Sequence, residues 1–381
     1  MNQSTKWIIG VVIVAVIAVV YFVSKGPSEL VSTEPIKIGV ILPLTGDAAT
    51  IGESMKNTIT IATEEINISG GVKNRLLEMI YEDGKCSGLA SANAAQKLIS
   101  IDKVKFIIGG ACSGETLGAA PIAESSKVIL LSPVSSSPDI TNAGDYVFRS
   151  FASDASSGNK IAEAIIDIGH KKVAIISEQT DYSQALRKVF EKRFTELSGT
   201  ITISETYTTN TRDFRTQLTK IKNTLPDAIY LVPQTPQSGE ILLRQIKEIG
   251  ITIPKFSNEL ATTDSLIKSG LSEGIIYAEV SFDKDAPASK VFFDKYIAKY
   301  KVIDPNTPPI YMASTYDAVN LLKEMIEKYG NDSEAVKNGL YKVNNYDGIS
   351  GSISIDQNGD RIVEYGLKII KNDKVEIFQI K

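Results

Sequence analysis

Three loops in this chain carry side chains whose types and spacing could do chemistry. Gly109-Gly110-Ala111-Cys112-Ser113-Gly114-Glu115 runs from an apolar stretch into a helical pattern. A helix start presents unpaired N–H groups and a partial positive charge, so such a loop suits a carboxylate. Thr45-Gly46-Asp47-Ala48 and Leu131-Ser132-Pro133-Val134-Ser135-Ser136-Ser137-Pro138 add hydroxyls, glycine and an acid. An ordinary βα turn uses the same residues, so composition alone leaves binding loop and turn both open. The two cysteines, Cys86 and Cys112, admit two readings: a disulfide, or free thiols with one as nucleophile. His170 is the one imidazole that could serve as base for a thiol, which leaves nucleophilic catalysis poorly supplied.

These loops fall after strands. Ile36–Leu42 is short, apolar and β-branched, and predicts a strand. Ile51, Met55, Ile59, Ala62 and Ile66 recur on one face of a helix. The alternation continues through strands at 76–81, 104–108 and 128–131 and helices at 89–99 and 114–126. It restarts with helices at 158–168, 182–197, 214–223 and 238–249 and strands at 172–177, 201–207 and 227–232. Strands separated by helices predict parallel α/β sheets, and two series predict two lobes. Near the end, 349–355 and 362–370 flank Asp356-Gln357-Asn358-Gly359-Asp360 and predict a β-hairpin.

Composition narrows the classes of function. The chain has 381 residues with 41 Lys+Arg against 45 Asp+Glu, so no basic excess marks a nucleic-acid surface. One histidine and two cysteines disfavour a zinc site or an iron–sulfur cluster, and no cofactor or metal is expected. Gly84-Lys85 lacks P-loop spacing, and Asp356, Asn358 and Asp360 lack the glycine and glutamate of a calcium loop. Trp7–Val23 is an uncharged run of about 25 Å as a helix, bracketed by Lys6 and Lys25. It reads as an uncleaved N-terminal membrane anchor (residues 1–25) rather than a cleaved signal, with 26–35 as a polar linker. The remainder is then extracytoplasmic, where paired cysteines most simply form a disulfide.

Ile36–Gly46, Gly110–Gly114 and Leu131–Pro138 resemble the Leu/Ile/Val-binding family of ABC-transporter solute-binding proteins. The family pairs cysteines at the places of Cys86 and Cys112, and Arg149–Asp154 is similar to its crossing into the second lobe. The resemblance implies a type I periplasmic-binding fold of two Rossmann-like lobes joined by three hinge strands. Lobe I would be 36–152 with 283–345, and lobe II 153–282 with 346–381. It implies a monomeric binding protein, not an enzyme, that delivers an amino acid to ABC permease subunits. A sensor, or an amide or urea binder, on the same fold is the alternative.

Residue by residue, the resemblance gives Ser113 the ligand carboxylate and Ser135 a backbone carbonyl toward the ammonium. Ser136 would offer a hydroxyl, Tyr182 would close over the ligand, and Glu259 would pair with the ammonium. The pocket for the ligand side chain departs from the pattern, with Ile51 and Gln234 or Thr235 where aromatic residues are usual.

Overall fold

The computed structural model describes Asn2 and residues 34–380. The expected anchor at Trp7–Val23 lies outside the described residues. Among the described residues no helix is long and apolar enough to cross a membrane.

The first half alternates as the periodicity predicts. β1 (Ile36–Leu42), α1 (Ala49–Ile68), β2 (Leu77–Asp83), α2 (Gly88–Ser100), β3 (Phe106–Gly109), α3 (Ser113–Ser126), β4 (Ile129–Ser132) and β5 (Val147–Arg149) follow in order, with a 3₁₀ turn at Pro138–Asn142. The strands form one wholly parallel sheet in the order β2-β1-β3-β4-β5. β1, β3 and β4 are almost wholly buried because helices cover both faces. α1 turns Ile51, Met55, Ile59, Ala62 and Ile66 inward, the face that its spacing marks. α2 and α3 cross so closely that a Cβ on Gly118 would lie 2.2 Å from the Gly88 carbonyl oxygen. That approach sets the starts of the two helices side by side, and Cys86 and Cys112 form a disulfide there.

The second series contains α4 (Ala155–Asp167), β6 (Lys172–Glu178), α5 (Asp181–Glu196), β7 (Thr200–Tyr207), α6 (Arg215–Asn223), β8 (Ala228–Val232) and α7 (Pro236–Ile249). It continues with β9 (Lys255–Ser257), a 3₁₀ turn at Glu259–Ala261, α8 (Asp264–Lys268) and β10 (Ile276–Val280). α9 (Pro287–Tyr300), α10 (Pro309–Tyr329) and α11 (Ser333–Leu340) return to the first sheet, where α10 packs along α1. β11 (Tyr346–Gly348), β12 (Gly351–Ile353), β13 (Tyr365–Lys371) and β14 (Lys374–Ile377) end the chain. The second sheet has the order β14-β13-β10-β9-β8-β6-β7. It is parallel from β7 to β10, and β13 and β14 join antiparallel. In each sheet the strand order reverses once near one edge, at β1/β3 and at β6/β8. Loops beyond the carboxyl ends of such strands diverge and leave a crevice.

Two expectations about the C-terminal segment are corrected. The strands expected as one hairpin around Asp356–Asp360 are not paired with each other: β12 pairs β11, and β13 pairs β10 and β14. Only an Ile355–Arg361 bridge closes that loop. The reason is a long-range partner. Arg149, wholly buried, holds both carboxylate oxygens of Asp360 at 2.5 and 2.7 Å, and Arg361 donates to the Ser150 carbonyl at 3.2 Å. These bonds keep residues 346–361 against the first sheet. The third passage to the second sheet therefore falls at 362–364, not at Tyr346. The other two passages are 150–154 and 281–286.

Candidate functional site

The carboxyl ends of both sheets meet in one crevice. From the first sheet comes the start of α3. Cys112 stands at its N-cap, and Glu115 reaches back to accept from the backbone N–H groups of Cys112, Ala111 and Cys86 at 3.0 to 3.1 Å. Burial pushes the Glu115 carboxyl up to about 7, against the pull of those three donors. With Glu115 occupied there, the N–H groups of Ser113 and Gly114 remain at the open end of the helix. The Ser113 hydroxyl is buried and accepts from the Ser137 N–H at 3.1 Å. That bond ties the α3 start to the loop after β4.

From the second sheet come the starts of α5 and α7 and the turn after β9. Thr180 caps α5 through the Ser183 N–H, which sets Tyr182 in the first turn, buried. Asn258 donates to the Tyr182 hydroxyl at 3.1 Å and to the Pro233 carbonyl at 2.9 Å. The next residue, Glu259, is 8% exposed. Its Oε1 accepts from the Tyr311 hydroxyl of α10 at 2.6 Å. Tyr311 packs edge-on against Phe151, a residue of the first passage between sheets.

Asp154 ends that first passage and sits at the centre of the cluster. It is 1% exposed and accepts from the hydroxyls of Ser136 and Tyr365. Glu259 and Asp154 feel each other's charge, and both carboxyls are raised, chiefly by burial. For Glu259 the rise is to about 8, with Asp154 as the second cause. Two carboxylates brought together out of water cannot both ionise cheaply. Arg149 offsets part of this at Asp154. Among the described residues no lysine or arginine pairs with Glu259. The hydroxyls of Tyr182, Tyr230 and Tyr311 feel the two carboxylates and are held far above their usual range, so they stay neutral donors. A buried carboxyl without a lysine or arginine partner can accept a positive group, and an open helix start can accept a negative one.

Ser136, Tyr182 and Glu259 thus converge about Asp154, and Ser113 is tied to the loop that carries Ser136. Ser136 spends its hydroxyl on Asp154 at 3.0 Å and its carbonyl on the Asp154 N–H at 2.8 Å. Ser135 turns its hydroxyl inward to the Gly110 carbonyl and Thr116, leaving its own carbonyl without a donor among the described residues. Ile51 is buried in the apolar cluster that also contains Tyr182, Leu260 and Tyr311. Gln234 lines the crevice beside Cys86 and Gly114. Thr235 is buried, and its hydroxyl caps α7 through the Ser238 N–H at 3.2 Å.

Asp154, Tyr311 and Tyr365 were not singled out in the sequence. Asp154 stands inside the recognised Arg149–Asp154 stretch, where a buried acid next to a domain passage was the available signal. Tyr311 and Tyr365 had none, because each reaches the cluster from a distant element.

The two sides also touch at the rim. Arg212, in the loop after β7, pairs with Asp47, in the loop after β1, at 2.9 Å. The Asp181 carboxylate of α5 lies 2.8 Å from where a Cβ on Gly114 would stand, so glycine there permits the approach.

Residues 35–369 match a family described as periplasmic binding protein. The chain is similar to the leucine-, isoleucine-, valine-, threonine- and alanine-binding protein of Pseudomonas aeruginosa, with 28% identity over 342 residues, 87% of this chain and 89% of the relative. Among solved structures it is similar to a leucine-binding protein of Thermotoga maritima, with a TM-score of 0.80 and 32% identity over 90% of this chain and 98% of that one. It is also similar to the branched-chain amino acid transporter substrate-binding protein of Streptococcus pneumoniae in complex with isoleucine. There the TM-score is 0.78 and the identity 26%, over 90% of this chain and 98% of that one.

Proposed function

The chain belongs to the periplasmic binding protein family, and we propose on that premise that it is the extracytoplasmic solute-binding protein of an ABC transporter. It takes one amino acid into the crevice between its two sheets and presents it to a permease. The observation that carries this reading is the buried Glu259, raised by burial and by Asp154, which among the described residues accepts only from neutral donors, the Tyr311 hydroxyl and its own backbone N–H. A ligand ammonium seated there supplies the missing positive charge, and a desolvated ammonium in turn needs a charged partner. The ligand carboxylate takes the open end of α3 at Ser113 and Gly114. Ser135 offers its carbonyl, and Tyr182, Ile51 and Gln234 also contact the ligand.

In this reading the protein binds and does not catalyse, and it needs no metal. The Trp7–Val23 run holds the protein at the cell membrane with the binding portion outside, as a monomer. A thermal-shift screen of the full chain against the common amino acids, simple amides and urea tests the function. Binding to the folded state raises the melting temperature by mass action. A shift with at least one α-amino acid is expected. A shift with amides or urea alone supports the alternative ligand class, and no shift with any of them overturns the reading.

A further inference from the structure

A cavity of about 330 Å³ borders Glu259. One wall is the face of the second sheet that carries Tyr277 and Glu279 on β10. The opposite side is formed by the passage Phe282–Asp285 and by Pro308, Pro309 and Ile310 at the start of α10. Occupation of this cavity therefore touches both sheets' sides of the molecule and one of the passages between them.

Two observations specify what would fit. First, Glu259, more than nine-tenths buried, borders the cavity, and among the described residues its carboxylate accepts only from neutral donors, the Tyr311 hydroxyl and its own backbone N–H. Second, Glu279, half-buried, lines the cavity, and among the described residues no hydrogen bond or ion pair holds it, although Lys368 is near enough to pull its carboxyl down. Register puts Glu279 opposite Gly366 on β13, so the nearest cation, Lys368, stands two residues along, opposite Tyr277. Five carboxylates line the cavity against Lys284 and Lys368, and Lys284 is itself held by Asp285 at 3.1 Å. Burial raises Glu279 to about 7, as it raises Glu259. An aliphatic side chain would remove water from both carboxylates and return nothing. Tyr277, Phe282 and Ile310 meanwhile offer apolar surface along which methylenes could run to a polar end.

We propose that this cavity receives the far end of the ligand's side chain and that this end is a cation, so that the protein takes a basic amino acid, with Glu279 as the residue that selects it. The inference rests on the reading that Glu259 holds the α-ammonium. It sets this chain apart from relatives whose names give aliphatic ligands.

Isothermal titration of the full chain with L-lysine and with L-norleucine isolates the feature. The two share the same six-carbon chain and differ in the terminal ammonium that lysine adds. Lysine should bind at least about tenfold more tightly, the effect of one charge-assisted hydrogen bond. Glu279→Gln should bring the two affinities together by weakening lysine and leaving norleucine unchanged. Norleucine binding as well as or better than lysine on the native chain overturns the inference and leaves the head-group reading intact. If neither these two nor any common amino acid binds, the head-group reading falls and the inference with it.

Discussion

The hydroxyl of Tyr311 donates to Oε1 of Glu259 at 2.6 Å and so links a helix packed on the first sheet to the turn that follows β9 of the second. Glu259 is therefore both the proposed ammonium partner and part of the contact that brings the two sides together. A group in that position couples ligand binding to closure, because its best charge state and its best contacts occur in the same arrangement.

Replacing Glu259 with Gln should weaken binding of the best ligand by about 1.5–3 kcal/mol, the worth of a charge-assisted hydrogen bond. Thermal stability without added ligand should not fall, because the change relieves charge repulsion with Asp154. Titration and melting curves of the variant check both halves. Unaltered affinity would remove Glu259 from the ammonium site.

Glu259 also predicts how closure depends on pH in the absence of ligand. In an open arrangement its carboxyl would be solvated, with a pKa of about 4.3. In the closed one it is raised to about 8. A raised pKa means that the closed form binds the proton more tightly. Protonation therefore favours closure fully below about 4.3, and this contribution is lost as pH rises through about 8. Small-angle scattering without ligand should show a smaller radius of gyration at pH 5 than at pH 8.5. A saturating ammonium ligand should abolish the difference, as should Glu259→Gln. A radius independent of pH in the native protein would count against it.

The Arg149–Asp360 pair fixes the C-terminal loop to the first sheet. Arg149 is fully buried, so Asp360→Ala leaves an unpaired charge in the interior. A loss of about 3–5 kcal/mol is expected from denaturant unfolding. A loss under about 1 kcal/mol, the range of an exposed pair, would mean that the arginine finds another partner.

The Cys86–Cys112 disulfide closes a loop of 26 residues. Chain entropy gives it about 3.5 kcal/mol of stabilisation. Mass spectrometry of unreduced protein should find no alkylable thiol, and the double Cys→Ser variant should unfold at correspondingly lower denaturant. Two alkylable thiols in protein exported by its own cell would contradict it.

By itself the sequence determined most of the strands and helices through Ile249, though not β5 at Val147–Arg149, and hence parallel α/β layers. Burial of one helix face or of a whole strand leaves its period in consecutive residues, as at Ile51, Met55 and Ile59. It also marked the α3 start, because a helix N-terminus and its glycines are local features. It did not determine where the chain last changes sheets. Asp356–Asp360 has the composition of a hairpin turn, yet Arg149 captures Asp360 from the other end of the chain, and no local pattern records that. Nor did it determine that Asp154, Glu259 and Tyr311 share one cluster, or that the Thr235 hydroxyl is spent on capping a helix. Which charges become neighbours, and which hydroxyls are already spent, depends on the packing of distant elements. The raised carboxyls of the site follow from that packing alone, since an Asp or Glu acquires an unusual pKa only from the burial and charges around it.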